Sequence, residues 1–460
     1  MVLNMQKSSN VKDLTVGNPM SLIFGFALSL LWGMLFQQLY NIIDTAIVSW
    51  FLGKEAYSGM GSTGSINFLI MGFCMGVCNG FAIPVAQRFG AKDYKSMRKF
   101  VTHSIILSAI FSVVMTVLVS VFCRQILTAM KTPESVFEYA YIYILVIFLG
   151  IPVTYMYNLL SGIIRALGDS KHPVQYLIIG SVVNIVLDIV FIVPFHWGIF
   201  GAAFATVISQ GISGALCLIF IIRKIDILHL QKEDWELDRH HFVILLNMGV
   251  PMGLQYSITA IGSVILQIAI NSLGEDAIAA VTTASKVAMF FCIPFDALGS
   301  TMATYGGQNV GAKKLEHLQD GLIAACKIGC GYAILAFVVL ALFGRQFSMI
   351  FLEAGDVACL DNAHLFLFYN SLFYVPLALV NIVRFLIQGM GFSMFAVLAG
   401  VMEMIGRGAV ALLFVPKFGF IAICLASPAA WILADAFLIP AFIMVRNRLR
   451  RIFQGQVEVY

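Results

Sequence analysis

Of the 460 residues, 60% are hydrophobic and only 11% are charged, with a net charge of +4 and a mean hydropathy of +0.92. A soluble domain is about 25% charged, so this chain cannot cover a water-facing surface. A cytosolic enzyme, a disordered protein and a nucleic-acid binder are all poor readings of it, and the modest net charge by itself says little about partners.

The N-terminal stretch 1–18 is polar. The apolar run after it is too long for a signal-peptide core and has no suitable small-residue cleavage site, so no cleaved signal is expected. A membrane helix needs about 20 mostly apolar residues. Twelve such stretches follow, near 20–51, 59–86, 100–123, 136–160, 172–194, 199–222, 242–270, 278–304, 321–343, 361–389, 394–415 and 418–445. Several exceed the length of one crossing, which predicts tilt or interfacial ends. Pro152, Pro251, Pro294 and Pro376 suggest kinks or hinges. Gly-rich MGFCMGVCNG allows close helix approach.

Basic residues collect in cytoplasmic loops. The loop after the second span carries Arg88, Lys92, Lys95, Arg98 and Lys99 against Asp93, and the chain ends in Arg446, Arg448, Arg450 and Arg451. An even number of spans with both termini cytoplasmic fits this pattern. The polar segment 223–241, RKIDILHLQKEDWELDRHH, reads as a cytoplasmic linker, drawn as an amphipathic helix on the membrane. The expected organisation is an N-terminal tail (1–18), an N-lobe of six spans (19–222), the linker (223–241), a C-lobe of six spans (242–445) and a basic tail (446–460).

The halves repeat. GNPMSL at 17–22 matches GVPMGL at 249–254, FLGKEA at 51–56 matches SLGEDA at 272–277, and AQRFGAK at 86–92 matches GQNVGAK at 307–313. VPFHWGIFGAAFA at 193–205 is echoed by VPKFGFIAICLA at 415–426. The matches keep their order, and two six-span halves give a parallel repeat, a construction found in secondary transporters with a central site. The fold expected is therefore all-α, integral to the membrane, with twelve transmembrane helices in two six-helix lobes.

Charges inside spans are costly and mark pathways. Asp44 lies in the first span and Asp188 in the fifth, neither with a Lys or Arg in its own span. Tyr40 and Asp44, and likewise Asn184 and Asp188, are spaced i, i+4 and share a helix face. Thr206, in the sixth span, is another oxygen donor. Carboxylate, amide and hydroxyl oxygens suit H⁺ or Na⁺, and a structural hydrogen-bond network between helices is the competing reading. The second half differs. There Glu403 and Arg407 stand i, i+4 with opposite charge, either as a structural pair or in a substrate or gating role. The seventh span has only Gln255, Thr259 and Gln267, while Lys286, Asp296, Lys327 and Asp435 are isolated in sequence. Cys74 with Cys78, and Cys326 with Cys330, share helix faces and read as packing rather than metal or disulfide. No Walker A loop, GxSxG or HExxH occurs, so ATP and enzymatic chemistry are not expected. No cofactor is implied beyond H⁺ or Na⁺ as coupling ion.

Segments PMSLIFGFALSLLWGMLFQQLYNIIDTAIVSWFLG, AQRFGAKD, SGIIRALGDSKHP, NIVLDIVFI, WGIFGAAFAT and GGQNVGAKK, with the stretch from Glu403 to Arg407, resemble the multidrug and toxic compound extrusion (MATE) transporters. They are most similar to the DinF-like bacterial branch, and the likeness covers nearly the whole chain. It implies export of amphipathic or cationic organic compounds in exchange for H⁺ or Na⁺, by two lobes rocking between inward- and outward-facing states. It also implies a coupling-cation site at positions matching Tyr40, Asp44, Asn158, Asn184, Asp188 and Thr206, and Asn158 enters only through it. Another branch carries a Glu in the seventh span; here that neighbourhood has Thr259 and no acid, so the N-lobe carries the expected site. The organism's inner (plasma) membrane, a monomer and small organic substrates complete the expectation. The alternatives are a lipid-linked oligosaccharide flippase, which calls for a basic cavity, and a receptor or channel without coupled transport.

Overall fold

The computed structural model describes residues 12–352 and 356–455, and every regular element among them is helical. In the first half these are α1 (Pro19–Ser62), α2 (Gly64–Gly90), α3 (Tyr94–Val121), α4 (Cys123–Ala129), α5 (Glu134–Leu149), α6 (Ile151–Ala166), α7 (Lys171–Ile192) and α8 (Gly198–Lys224). The second half has α9 (Arg239–Asn271), α10 (Glu275–Gly311), α11 (Leu315–Ser348), α12 (Val357–Leu372), α13 (Tyr374–Gly389), α14 (Ser393–Ala409), α15 (Val415–Phe418) and α16 (Phe420–Phe453). Ten helical stretches are long and apolar enough to cross a membrane, and two bent pairs, α5 with α6 and α12 with α13, bring the number to twelve. The protein is a polytopic membrane protein.

The bends measure 48° in the first half and 51° in the second. Each has a proline just past the break. Pro152 offers no N–H to the carbonyl of Phe148, and Pro376 none to that of Leu372. Pro251 and Pro294, by contrast, lie inside continuous helices. A π-helical turn, Val410–Phe414, joins α14 to α15.

The chain forms two compact units, one built on Ser29–Gly253 and the other on Leu14–Leu28 with the residues from Leu254 onward. In the first, Phe81, Phe100, Phe148, Tyr155 and Ile163 are fully buried. Ile110, Val114, Val117 and Val121 of α3 recur at helical spacing and face outward, the pattern of a lipid-facing stripe. Between membrane helices the hydrophobic effect has little to offer, so close packing must hold them together. The Gly-rich stretch of α2 serves that end. A Cβ on Gly80 would stand 2.5 Å from the Gly249 Cα, and one on Gly76 would stand 2.5 Å from the Met252 carbonyl oxygen. Gly80→Val therefore lowers the thermal midpoint, at a cost of about 1–3 kcal/mol. Gly331→Ala, whose Cβ meets open space, leaves the midpoint unchanged or raises it. Equal melting of the two variants would count against this account.

The segment between α8 and α9 is not one amphipathic helix, as the sequence suggested. It forms two 3₁₀ turns, Asp226–Leu228 and Lys232–Trp235, folded against α3. Asp234 is the reason. Its side chain is 2% exposed, caps Gln231 N–H at 2.9 Å and accepts from Arg98 Nε at 2.9 Å. The Thr102 hydroxyl donates to the Asp234 carbonyl at 2.6 Å, and His103 Nε2 accepts the Asp238 N–H at 3.0 Å. Just ahead of α9, the N–H of His240 and the ring of His241 hold the Asp238 carboxyl below the ordinary carboxylate range. A buried carboxylate is satisfied better by a fixed guanidinium than by a surface helix. Asp234→Ala removes a charge-assisted bond worth about 1.5–3 kcal/mol. Limited trypsin digestion then cuts at Lys232 faster than in the unaltered protein, without loss of the helical signal.

Candidate functional site

Two turns of α1 and two of α7 bring Tyr40, Asp44, Asn184 and Asp188 to one place, with Thr206 of α8 beside them. The α7–α8 contact is close because Gly180 lies against Ser209 and Ser213, and Ser213 Oγ donates to the Tyr176 carbonyl at 3.0 Å. Asn184 and Asp188 are 0% exposed and Asp44 is 4% exposed.

Asn184 bridges the cluster. With its amide turned to satisfy both ends, Nδ2 donates to Asp188 Oδ2 at 2.8 Å and the amide oxygen accepts the Thr206 N–H at 3.0 Å. Tyr40 donates to Thr206 Oγ1 at 3.5 Å, and that hydroxyl donates to the Ala202 carbonyl at 3.1 Å. Asp44 and Asp188 are within hydrogen-bonding reach of each other. Neither forms an ion pair with a Lys, Arg or His among the described residues. One oxygen of each, Asp44 Oδ1 and Asp188 Oδ1, is buried and meets no hydrogen-bond donor there.

That combination has a chemical consequence. Two buried carboxyls within reach of each other, with no basic partner among the described residues, are costly to keep out of water. The ligands on hand are all oxygen, the preference of hard cations.

Asn158 Nδ2 donates to the Thr154 carbonyl one turn back on α6 at 2.8 Å. Tyr143 of α5 is a residue the sequence did not single out. It is 6% exposed and lies within electrostatic reach of Asp44, Tyr40 and Asp188. It is one of three tyrosines in EYAYIYI, and no sequence signal separates it from the other two.

The second unit holds a different constellation. Glu403 meets Arg407 Nη2 at 3.4 Å, as the i, i+4 spacing predicted, but its closer partner is Arg384 of α13, a buried contact absent from the sequence reading. Asp435 and Asp296 lie in the field of the same guanidinium. Gln388 Nε2 donates to Gln255 Oε1 at 2.5 Å nearby. Arg384 Nε, Arg407 Nη1 and Asp435 Oδ1 are buried without a hydrogen-bond partner among the described residues. Lys286 lies 5.5 Å over the Phe351 ring. Both i, i+4 cysteine pairs, with the other five cysteines, are free thiols. Among the described residues no group of three or more His, Cys, Asp or Glu side chains is arranged to hold a metal ion.

The MatE family model matches twice, over residues 30–190 and 251–411, which together cover more than half of the chain. The chain belongs to the MatE family. It is a transporter protein and not an enzyme. The MatE chain is 27% identical over 376 residues to the probable multidrug resistance protein YpnP of Bacillus subtilis, covering 81% of this chain and 84% of that protein. It is 24% identical over 384 residues to the DNA damage-inducible protein F of Escherichia coli, covering 80% and 79%. Among solved structures, an outward-facing multidrug resistance MATE family transporter of the MOP superfamily superposes with a TM-score of 0.90 at 23% identity, covering 96% of this chain and 99% of the other. That likeness establishes the twelve-helix MATE fold. The two matched copies of the family model begin in α1 and in α9, as a duplicated unit requires.

Proposed function

We propose that this MatE protein is a secondary active exporter of amphipathic or cationic organic compounds, exchanged for H⁺ or Na⁺ at the Asp44–Asp188 pair. One observation carries the reading: two buried carboxyls within reach of each other, each with an unmatched oxygen and neither with a basic partner among the described residues. The names of its relatives, a probable multidrug resistance protein among them, support the substrate class. Tyr40, Asn184 and Thr206 set the positions of the carboxyl oxygens, and Asn158 belongs to the site on the family resemblance. Glu403 with Arg407 is assigned to structure rather than substrate, since Arg384 already engages the glutamate.

Coupling follows from preference alone. An ion that binds one state of the transporter better, and a substrate that binds the other better, drive each other by the difference in their affinities. Na⁺ or H⁺ entering the pair on the outside shifts α1, through Asp44, away from the state that holds substrate. Its release inside restores that state. We place the protein in the plasma membrane as a monomer with both termini cytoplasmic, divided into N-lobe, linker and C-lobe as the sequence reads.

The experiment is a flux assay in proteoliposomes with H⁺ and Na⁺ gradients imposed separately. Uptake of a fluorescent organic cation that responds to one gradient and collapses with it is the expected result. Flux indifferent to both gradients would overturn the coupled reading and favour a channel. The flippase reading calls for free basic groups, and the two buried arginines of the second unit are already set on Glu403.

A further inference from the structure

The internal repeat places one groove twice, and its two copies differ. AQRFGAK aligned with GQNVGAK sets Lys92 opposite Lys313 and Arg98 opposite Gln319. The backbone agrees, for Lys92 has φ 59° and Lys313 φ 57°, both left-handed and neither glycine. Gly198 at φ 58° and Gly419 at φ 59° align in the same register. Counted on from there, Ile225, where α8 has just ended, corresponds to Arg446.

In the first unit the chain leaves the helix at Ile225, turns back over α3 and buries the Asp234 carboxylate against Arg98. An anionic group thus lies against the first turns of α3, on the residue that aligns with Gln319. In the second unit α16 does not break at the matching position but runs on to Phe453. The corresponding groove, between the start of α11 and the end of α16, is among the described residues an open cavity of about 860 Å³.

Its walls carry Lys313, Lys314, Arg446 and Arg450, with Glu316 and Asp320 as the acids. No ion pair joins these groups among the described residues. Arg446 Nη1 donates to Gln319 at 2.9 Å, so it is held in place by a neutral group standing where Arg98 stands in the first unit. Lys314 Nζ donates to the Thr15 carbonyl at 2.8 Å. Lys313 and Arg450 have no side-chain partner among the described residues. The first turn of α11 has no side-chain cap, and the N-terminal N–H groups of a 34-residue helix favour an anion.

We propose that this groove binds a phosphate group, either the headgroup phosphate of an anionic phospholipid or a soluble phosphate compound. The guanidiniums of Arg446 and Arg450, one turn apart on α16, hold the phosphate oxygens, with Lys313 across the groove. The group takes the place that Asp234 takes in the first unit. Basic pockets between helix ends at the cytoplasmic surface are where acidic headgroups dock.

The test uses the full chain in phosphatidylcholine nanodiscs, with and without phosphatidylglycerol, reading bound phosphatidylglycerol by native mass spectrometry. In a second arm, inorganic phosphate and glycerol 3-phosphate are titrated into phosphatidylcholine nanodiscs. Retention of phosphatidylglycerol by the unaltered protein, weakened about 30-fold by R446Q/R450Q at about 1 kcal/mol per lost cation, supports a lipid. Saturable binding of the soluble phosphates alone, lost in the same variant, supports a soluble source. The pair R223Q/K224Q, at the end of α8 in the first unit, retains binding in either case. Lys313→Asn, which tolerates the left-handed backbone, weakens binding about fivefold and stands in if the double variant fails to fold. Binding unchanged in both R446Q/R450Q and Lys313→Asn, or no binding of either ligand to the unaltered protein, overturns the proposal.

Discussion

Asp188→Asn yields a folded, membrane-inserted protein that no longer couples export to an ion gradient. The expectation rests on the contact between Asp188 and Asp44 and on their unmatched oxygens. With an amide at position 188 the repulsion between the two carboxyls is gone, and Asp44 is left with a neutral neighbour. Stability is then unchanged or improved, because a buried group with no cationic partner has been replaced by one that carries no charge. Allosteric coupling between two ligands is typically 1–3 kcal/mol, or 5–150-fold in affinity, and that whole factor is lost. The measurement is the affinity for a fluorescent organic cation at several pH values and Na⁺ concentrations. The unaltered protein binds it more weakly as the coupling ion rises, whereas Asp188→Asn gives one affinity throughout. Asp44→Asn behaves in the same way. Asn184→Ala weakens coupling but keeps it, since the carboxyls remain and only the bridge to Thr206 is lost. Ion dependence persisting in both aspartate variants would remove the mechanism while leaving the fold and family untouched.

Much of this was legible in the sequence because the membrane makes scarcity informative. With charge at 11% of residues, an Asp inside a span stands out. The i, i+4 spacings of Tyr40 with Asp44 and of Asn184 with Asp188 fix which groups share a face, whatever the tertiary contacts. The twelve spans were countable for a similar reason, since each helix must satisfy its own backbone in lipid. What stayed hidden depends on contacts between helices distant in sequence. Arg384 reaches Glu403 from another helix, and nothing in RFLIQGM announces that pairing. Tyr143 is one tyrosine among several. The linker read as an amphipathic helix because its composition fits one. The buried Asp234–Arg98 bond, spanning 136 residues, decides otherwise. Both bends fall at prolines the sequence flagged, yet Pro251 and Pro294 look the same on paper and leave their helices whole. Local chemistry permits a break, and packing selects where one occurs.

In the second unit the largest effect is expected at a residue the sequence did not mark. Arg384→Met costs about 3–5 kcal/mol, the usual penalty for taking one partner from a buried pair. It exceeds the cost of Glu403→Gln. The reason is the distribution of charge rather than the single bond. Glu403 engages both Arg384 and Arg407, while Asp435 and Asp296 lie in the field of Arg384, three acids to two cations. Removing Glu403 evens the balance and leaves Arg384 with Asp435 and Asp296 still in its field. Removing Arg384 leaves three acids to one cation and strips Asp435, which is 7% exposed, of the cation nearest to it. The double variant R384M/E403Q is accordingly less damaged than the sum of its singles, with an interaction term of about 0.5–3 kcal/mol. Adding Asp435→Asn recovers stability further, because it removes the remaining buried acid that Arg384 served. Unfolding midpoints of the four variants, taken in one detergent at one pH, check the order. Glu403→Gln melting below Arg384→Met would mean that the direct ion pair, and not the balance of the whole cluster, holds this part of the unit together.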